Sequence, residues 1–408
     1  MPNNTIATSL RYHHRMRLLA GILFAATLPV FAQNDRPVTP PPEPIVNPDH
    51  SVSFRLNFPT AQKVTLALEN HQPKPMVKDD TGLWTVTTEP LRNEYYSYHF
   101  MVDGIWVLDP QNPKIVESYT AAGNVLLVSD TFEGNIGGSS GVMPHPGDFD
   151  PAPWERTAVP HGVIHIHSFT SSVVQGLPLN QSVYYVYTPP GYDPRSPKKY
   201  PVLYLLHGWS DTAAGWTNIG HADNILDNLI AQGKAKPMIV VMPLGYGDMS
   251  FLRNGFGVWR DPAAIDHNAS LFSQSLLTEA LPQVEKLYNV SPKREDRAIA
   301  GLSMGGLEAL TVGLTHTDQF AWVGGFSAAV HAVQPGAYPK LDPKKANLKF
   351  VYISVGLTDS LLEADRKYAA ALRAEGIEVT TVETPGVGHV WQQWRPDLVT
   401  FASKIFQP

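Results

Sequence analysis

One segment of the sequence reads Arg297-Ala-Ile-Ala-Gly-Leu-Ser303-Met-Gly-Gly-Leu-Glu-Ala-Leu310. The apolar run before Ser303 predicts a buried strand, and the residues from Leu307 to Leu314 predict a helix. A Gly-x-Ser-x-Gly motif between a strand and a helix is typical of a nucleophile elbow, a sharp turn that exposes the serine hydroxyl. Glycines are needed two residues on either side because side chains there would collide with the neighbouring strand and helix. The segment therefore predicts that Ser303 is a nucleophile.

The composition is that of a globular protein with a large apolar core. The chain has 408 residues, of which 43% are hydrophobic and 17% charged, so we expect two domains or one large domain with an appendage. The net charge of −6 offers no basic patch, which argues against nucleic acid as a partner. The sequence contains no cysteine, and this excludes disulfide bonds, thiol catalysis and thiolate metal sites.

The first 32 residues have the pattern of a secretory signal peptide. Three arginines precede the apolar run Leu18 to Leu28, and Val30-Phe-Ala32 offers small residues at the cleavage site. The apolar run is too short to span a bilayer, so we expect cleavage after Ala32 and an exported mature protein without a membrane anchor. Residues 33–50 are polar and rich in proline, which predicts an extended linker.

Residues 51–130 predict a small β-sandwich of the immunoglobulin-like kind. Short runs of strand composition are separated by turn signals such as Asp80-Thr-Gly82 and Asp103-Gly104. The runs cover residues 52–58, 64–68, 84–87, 95–102 and 125–128. Residues 131–160 are rich in glycine, proline, serine and aspartate, and they predict a linker between two domains.

Residues 161–408 predict an α/β domain. Strand-like apolar runs alternate with amphipathic stretches that predict helices at 222–232, 271–288 and 361–375. Several runs are continuously apolar, as expected for a parallel sheet with helices on both faces. The strand-like runs lie at 183–187, 201–206, 238–242, 298–300, 322–326 and 350–355.

Three histidines near the start of this domain raise the question of a metal. His161, His165 and His167 fall on one face of a predicted strand, a spacing that in principle suits a metal ion. No aspartate or glutamate accompanies them, and histidines on an exposed strand face are usually solvated. We therefore predict no metal site and no cofactor.

A serine nucleophile needs a histidine base, and the histidine needs a carboxylate. In α/β-hydrolases these follow the chain order serine, acid, histidine. Of the histidines after Ser303, His389 is favoured because it lies in a glycine-rich loop near the C-terminus. His331 follows a strand and is the alternative, while His316 is expected on the surface.

The acid is predicted to be Asp359, which directly follows the strongest late strand. Glu363 and Asp365 come slightly later, on a predicted helix, and they are more simply explained as solvent-exposed residues of that helix. Asp342 lies in a loop rich in proline and lysine and is less favoured again.

The oxyanion of the reaction needs two backbone N–H donors. One is expected from Met304, the residue after the nucleophile. The other is expected from Trp209, in the loop after an early strand, where Gly208 allows close approach of the backbone. Indole side chains are candidates for stacking on a sugar or aromatic ring. The predicted substrate contacts are Trp216, Trp259, Trp391 and Trp394, with core packing as the alternative for each.

Four stretches of the second domain resemble the putative-esterase family. They are Tyr200-Pro-Val-Leu-Tyr-Leu-Leu-His-Gly208, Pro237-Met-Ile-Val-Val-Met-Pro243, Arg297 to Gly306, and Gly388-His389-x-Trp391-x-x-Trp394. The family includes esterase D, enterochelin esterase, the mycolyltransferases and bacterial feruloyl and acetyl-xylan esterases. The match covers nearly all of residues 155–408 and implies an α/β-hydrolase fold, in which Ser303, Asp359 and His389 match the family triad. No stretch matches an iron-siderophore specificity motif.

The first domain resembles the early-set sandwich of glycogen-binding and debranching-enzyme modules. The similarity rests on Gly82-Leu-Trp84, on Tyr98-His-Phe-Met-Val-Asp103-Gly104 and on Asp109-Pro110. Some such modules bind glucans through exposed aromatic residues, which makes Trp84 and Trp106 candidates. The alternative is that both tryptophans belong to the core or to a domain interface.

An early-set sandwich joined to this esterase resembles the feruloyl-esterase-like branch of polysaccharide-degrading bacteria. The resemblance implies a secreted serine carboxylesterase whose substrates are feruloyl, other hydroxycinnamoyl or acetyl esters on plant cell-wall polysaccharide such as xylan. An acyltransferase that uses the same acyl-enzyme is one alternative. A non-catalytic carbohydrate-binding protein is another, although an intact serine, aspartate and histidine in the right order argue against it.

Overall fold

The structure is a computed structural model that describes residues 44–120, 122–129, 151–330 and 341–407. The predicted signal peptide, most of both predicted linkers and His331 lie outside the described residues. Within the described part of the chain, no helix has the length and apolar character needed to cross a membrane.

The N-terminal part is all β. Its strands are β1 Ile45–Val46, β2 Val52–Asn57, β3 Val64–Leu68, β4 Lys74–Pro75, β5 Val77–Lys78, β6 Leu83–Thr87, β7 Glu94–Val102, β8 Ile105–Val107, β9 Ile115–Val116 and β10 Gly123–Val128. One sheet has the order β1-β2-β6-β5, and the other has the order β4-β3-β7-β10-β9 with β8 paired to β7. Alternate residues such as Phe54, Tyr98 and Phe100 are fully buried in a common core, as expected for two packed antiparallel sheets.

The described ends of the two segments predicted as linkers, residues 44–50 and 151–160, contact the folded parts of the chain. Strand β1 lies within residues 33–50 because Ile45 and Val46 pair with Ser53 and Val52 of β2. Part of residues 131–160 is also fixed, since the Asn228 side-chain amide donates to the carbonyls of Pro153 and Glu155 at 2.9 and 2.8 Å. Residues 45–46 and 153–155 therefore have fixed partners that composition alone does not indicate.

The second part is an α/β domain, as predicted. Its strands are β11 Val163–Thr170, β12 Gln181–Thr188, β13 Val202–Leu206, β14 Ile239–Pro243, β15 Arg297–Leu302, β16 Trp322–Phe326, β17 Phe350–Gly356 and β18 Thr380–Thr384. Its helices are α1 Gly215–Asn218, α2 Ala222–Ala231, α3 Ser250–Arg253, α4 Pro262–Ser275, α5 Leu281–Leu287, α6 Met304–Thr315, α7 Pro343–Ala346, α8 Leu362–Ala374 and α9 Trp391–Lys404.

These strands form one eight-stranded sheet with the order β11-β12-β14-β13-β15-β16-β17-β18. The pairs β11–β12 and β12–β14 are antiparallel, and the remaining pairs are parallel. Central strands are buried on both faces: Val202, Tyr204 and Leu206 of β13 join one core cluster, while Leu203 and Leu205 join the other. This double burial explains why β13 is continuously apolar in sequence.

The sandwich and the α/β domain share an apolar interior. Tyr95 and Val125 of the sandwich belong to the same buried cluster as Trp391 and Leu398 of helix α9. A buried ion pair crosses the same boundary, with Arg395 Nη1 2.7 Å from Glu94 Oε1. Burial raises the pKa of Glu94 to about 7, despite the opposing charge of Arg395. The two parts are therefore packed as a unit in this region.

Candidate active site

Ser303 lies at a strained turn between β15 and α6. Its backbone has φ 52° and ψ −115°, outside the regions that L-residues normally occupy. A Cβ atom on Gly301 would lie 2.4 Å from the carbonyl oxygen of Gly305, and one on Gly305 would lie 2.5 Å from that of His207. Both distances are far below van der Waals contact, so only glycine fits at either position. The turn places the serine hydroxyl at the N-terminal end of α6.

Ser303, His389 and Asp359 are joined by hydrogen bonds. His389 Nε2 is 2.9 Å from Ser303 Oγ, and His389 Nδ1 is 2.8 Å from Asp359 Oδ2. His389 comes from the loop between β18 and α9, whereas Asp359 comes from the loop between β17 and α8. Since the carboxylate accepts from Nδ1–H, Nε2 is left unprotonated and faces the serine hydroxyl. The structure thus brings together three residues that the sequence proposed separately.

Asp359 is held as an anion. Burial of its side chain raises the pKa, but the hydrogen bond and the charge interaction with His389 outweigh this effect and keep the pKa below its usual value. The Leu361 N–H also donates to Asp359 Oδ1 at 2.9 Å and favours the charged form. A carboxylate in this state fixes the tautomer of a histidine and stabilises an imidazolium.

The loop after β13 lies against the serine. A Cβ atom on Gly208 would be 2.6 Å from Leu302 and 3.4 Å from Ser303 Cβ, so this glycine permits close approach. The N–H groups of Gly208 and Ser210 donate to the Asp211 carboxylate and the Tyr246 hydroxyl, respectively. By contrast, the Trp209 N–H has no acceptor among the described residues. Met304 is the first residue of α6, and its N–H therefore has no intrahelical acceptor.

His207 fixes the backbone of this loop. The Gly245 N–H donates to His207 Nε2 at 2.8 Å, which requires the ring proton to lie on Nδ1, where it bonds to the Gly208 carbonyl oxygen at 2.8 Å. Burial lowers the pKa of His207 to about 4, and the ring is neutral at ordinary pH. His207 is thus a structural partner of the loop that carries Trp209.

A cleft of about 380 Å³ opens above Ser303 and His389. One wall comes from the α/β domain and includes Trp209, Trp391 and Trp394. The other wall comes from the sandwich and includes Glu69, Ser97, His99 and Trp106. The Trp106 ring stacks on the ring of His99 with centroids 3.2 Å apart and an angle of 8° between the planes. The cleft is therefore lined by both parts of the molecule.

A model of the family described as putative esterase matches residues 180–405, which is more than half of the chain. The chain belongs to the putative esterase family. Over 371 residues it is 29% identical to an endo-1,4-beta-xylanase/feruloyl esterase of Xylanibacter ruminicola, an alignment that covers 89% of this chain and 46% of the relative. The chain thus spans less than half the length of that relative.

Two solved structures share the fold. A ferulic acid esterase from the anaerobic fungus Anaeromyces mucronatus has a TM-score of 0.53 at 24% identity, covering 63% of this chain and 96% of the fungal one. The enterobactin esterase of Shigella flexneri has a TM-score of 0.61 at 19% identity, covering 88% of this chain and 93% of that one. The alignment with the enterobactin esterase covers more residues than the α/β domain contains, so it includes much of the sandwich.

The four tryptophans predicted to contact substrate in this esterase-family chain fall into two pairs. Trp391 and Trp394 line the cleft, and the Trp394 ring packs edge-on against His389 with centroids 5.0 Å apart. Trp216 is completely buried and its indole N–H donates to the Leu206 carbonyl oxygen at 2.9 Å. Trp259 packs against Phe251 on the core and does not line the cleft. The prediction for Trp216 was wrong, because an indole enclosed in the core cannot contact a substrate. Trp259 is half-buried, and its contact with substrate stays a prediction.

The other acids considered from the sequence have different surroundings. Asp365 is buried, and it accepts a hydrogen bond from the Ala328 N–H at 3.1 Å. Burial raises its pKa well above the usual value, and the nearby charge of Asp359 raises it further. Glu363 forms an exposed ion pair with Arg366, and Asp342 caps the N-terminus of α7. None of the three hydrogen-bonds to His389 in the described structure.

The other histidines considered from the sequence lie away from Ser303 or contact other side chains. His316 follows the last residue of α6, and a helix of this length places it about 18 Å from Ser303. His161 contacts Asp227, His165 contacts Thr188, and His167 contacts the Tyr288 hydroxyl. No group of three or more metal-ligating side chains converges anywhere in the described ranges.

The sequence did not reveal most of the sandwich residues that line the cleft, such as Glu69, Ser97 and His99. Trp84 and Trp106 were considered as glycan contacts or as core or interface residues. Trp84 is buried in the sandwich core, and Trp106 lines the cleft between the two parts. Ser97 and His99 interrupt an apolar strand at every second residue, between the buried Tyr96, Tyr98 and Phe100. That alternation marks an outward-facing polar row, but it gives no information about what the row faces.

Proposed function

We propose that this protein is a secreted serine carboxylesterase that hydrolyses acyl esters on plant cell-wall polysaccharide such as xylan. The acyl group is feruloyl, another hydroxycinnamoyl, or acetyl. The observation that carries the proposal is the continuous hydrogen-bonded series Ser303–His389–Asp359 at the base of an open cleft. Family membership and the relative named as a xylanase/feruloyl esterase support the class of substrate.

In the first half-reaction Ser303 is acylated. His389 Nε2 takes the hydroxyl proton as Ser303 Oγ bonds to the ester carbonyl carbon, and the carbonyl becomes a tetrahedral oxyanion. The N–H groups of Met304 and Trp209 stabilise this oxyanion, and Asp359 stabilises the imidazolium. The carbon–oxygen bond to the alcohol then breaks, and His389 returns its proton to the departing alkoxide.

In the second half-reaction water releases the acyl group. His389 removes a proton from the water as its oxygen attacks the acyl carbon, and the same two N–H groups hold the second oxyanion. Collapse of this intermediate breaks the bond to Ser303 Oγ, which regains a proton from His389. The products are a carboxylic acid and the alcohol, here a sugar hydroxyl, with the enzyme unchanged.

The cleft supplies surfaces for an aromatic acyl group and for a sugar. Trp209, Trp391 and Trp394 surround the serine on one side, and the stacked Trp106–His99 pair lies on the other. Aromatic faces bind both phenyl rings and the apolar faces of sugars. Export through the predicted signal peptide in residues 1–32 would bring the enzyme to an extracellular or periplasmic polysaccharide.

The test is turnover of a panel of esters by the wild-type and Ser303→Ala enzymes. The panel contains feruloyl, p-coumaroyl and acetyl esters of arabinose, xylose and simple alcohols. We expect the wild type to prefer sugar esters, and we expect Ser303→Ala to lower kcat by roughly 10⁴-fold or more. Full activity of Ser303→Ala would contradict the mechanism. Acyl transfer to an added xylooligosaccharide, in place of hydrolysis, would identify a transferase.

A further inference from the structure

Glu69 lies on the sandwich side of the cleft, immediately after strand β3. One oxygen of its carboxylate, Oε2, accepts the Ser97 N–H at 3.0 Å within the sandwich. The other oxygen, Oε1, accepts the N–H of Trp391 at 3.1 Å, across 322 residues of sequence. A single side chain thus connects the sandwich to the first residue of helix α9.

Helix α9 has no N-terminal cap of its own. The residue at the capping position is Val390, whose side chain has no hydrogen-bonding atom, and no side-chain cap is formed there. The first N–H groups of a helix need acceptors from outside the helix, and a carboxylate at this end also interacts favourably with the helix dipole. Glu69 therefore supplies from the sandwich the cap that the local sequence lacks.

The capped residue is two positions from His389. The connecting turn is short and compact, since the Val390 N–H bonds back to the Gly388 carbonyl oxygen at 3.1 Å. Further contacts hold the second turn of the helix against the sandwich, because Arg395 pairs with Glu94 and also donates to the Tyr95 carbonyl oxygen. The position of the histidine relative to Ser303 thus depends on a separate part of the fold.

We propose that Glu69 is a positioning residue for His389, and that the sandwich is required for the chemical step itself as well as for any contact with polysaccharide. This inference rests on the proposed function of Ser303 and His389. A Glu69 variant should therefore be slow on every ester, including one with no sugar, because the base is displaced in all cases.

The experiment measures kcat and KM for p-nitrophenyl acetate, which has no sugar for the sandwich to bind. The full-length enzymes are the wild type, Glu69→Ala, Glu69→Gln and Glu89→Ala. Glu89 is an exposed glutamate of the same sandwich, with 93% of its side chain accessible, and serves as the matched control. Thermal unfolding of each variant, followed by circular dichroism, gives the folded fraction by which kcat is divided.

We expect Glu69→Ala to lower kcat by about 10- to 100-fold, the size of effect that a small displacement of a catalytic group produces, with KM within about twofold of the wild type. Glu69→Gln should have an intermediate kcat, because its single amide oxygen can accept either the Trp391 N–H or the Ser97 N–H but not both. Glu89→Ala should match the wild type.

A folded Glu69→Ala enzyme with wild-type kcat would overturn the proposal, and so would a folded Glu69→Gln enzyme that is slower than Glu69→Ala. A rise in KM with kcat unchanged would also overturn it, because that result assigns Glu69 to substrate binding. If the wild type itself does not turn over the ester in a Ser303-dependent manner, the proposed function fails, and this outcome is distinct from a failure at Glu69 alone.

Discussion

Ser303 Oγ and His389 Nε2 are 2.9 Å apart, yet different parts of the fold position the two residues. Ser303 is held at a tight turn, because Gly301 lets β15 approach the backbone of Gly305 in α6, and Gly305 lets α6 approach the end of the neighbouring strand β13. His389 lies in a loop whose following helix is held from the sandwich by Glu69 and Glu94. The turn at Ser303 is thus fixed by packing within the α/β domain, whereas the helix that follows His389 also bonds to the sandwich. Local sequence can reveal the first arrangement but not the second.

The largest effect is expected at the residue that orients His389 within the α/β domain. Asp359→Asn keeps the shape of the side chain but removes the charge, and an amide that donates to Nδ1 would favour the wrong tautomer. We expect kcat to fall by about 10⁴-fold in protein that is still folded at the assay temperature. The matched control is Glu363→Gln, on the nearby helix α8, where the exposed ion pair with Arg366 has no contact with His389. Equal loss in both variants would contradict the assignment of Asp359.

The pKa of Asp359 gives a second measurement on the same variant. Because the folded-state pKa lies below the usual value, the ionised group stabilises the folded protein above the unfolded-state pKa. This contribution is lost as the pH falls through the folded-state value. Urea denaturation should therefore show a steeper loss of stability on acidification for the wild type than for Asp359→Asn. If the free energies of unfolding of the two proteins fell equally on acidification, the Asp359 carboxylate would have no partner that lowers its pKa.

Arg395→Met tests the contacts that hold the His389 helix from outside. The variant leaves Glu94 buried without its cation, and such a loss costs roughly 3–5 kcal/mol in the free energy of unfolding. The pKa of Glu94, already raised to about 7, should rise further, so that ionisation becomes more costly in the folded state. The destabilisation should then be larger at pH 8 than at pH 5, where Glu94 binds a proton.

Urea denaturation at the two pH values measures this difference. Lys404→Met, at the exposed end of the same helix, is the control and should change stability little at either pH. An Arg395→Met variant that is destabilised equally at pH 5 and pH 8 would show that Glu94 does not carry the effect.

Gly305→Ala tests the local packing around Ser303. The added methyl group would lie 2.5 to 2.7 Å from backbone atoms of Leu206 and His207, so a strand or a helix must shift. Overpacking of this kind costs about 1–3 kcal/mol, and the shift should also lower kcat. Gly257→Ala is the matched control, since no atom lies within 4 Å of its Cβ position. If both glycine variants have the same unfolding midpoint as the wild type, the elbow is less tightly packed than the structure indicates.

The sequence predicted most of the α/β fold and less of the cleft. Apolar runs at 322–326 and 350–355 correspond closely to strands β16 and β17, because strands buried on both faces leave a strong local pattern. The choice of His389 and Asp359 followed from their positions after strands and from the chain order of the fold. In contrast, the sequence did not show that Trp216 is completely enclosed in the core, whereas Trp391, which belongs to the same buried cluster, also reaches the cleft.

The contact between Glu69 and Trp391 illustrates what cannot be predicted from the sequence. It depends on how the sandwich packs against the α/β domain, and no periodicity or motif in either segment encodes that packing. The polar alternation of β7 was readable, but not the fact that His99 faces the serine across a cleft. Sites formed between domains therefore need the tertiary structure, whereas a nucleophile elbow does not.

The most direct test of the account is covalent labelling of the proposed nucleophile with a fluorophosphonate, followed by mass spectrometry of the intact and digested protein. Ser303 Oγ displaces fluoride from phosphorus only if His389 accepts its proton. The account predicts one adduct per wild-type chain, located in the peptide that contains Ser303, and no adduct in Ser303→Ala or His389→Ala. An adduct on another residue, or undiminished labelling of Ser303→Ala, would contradict it.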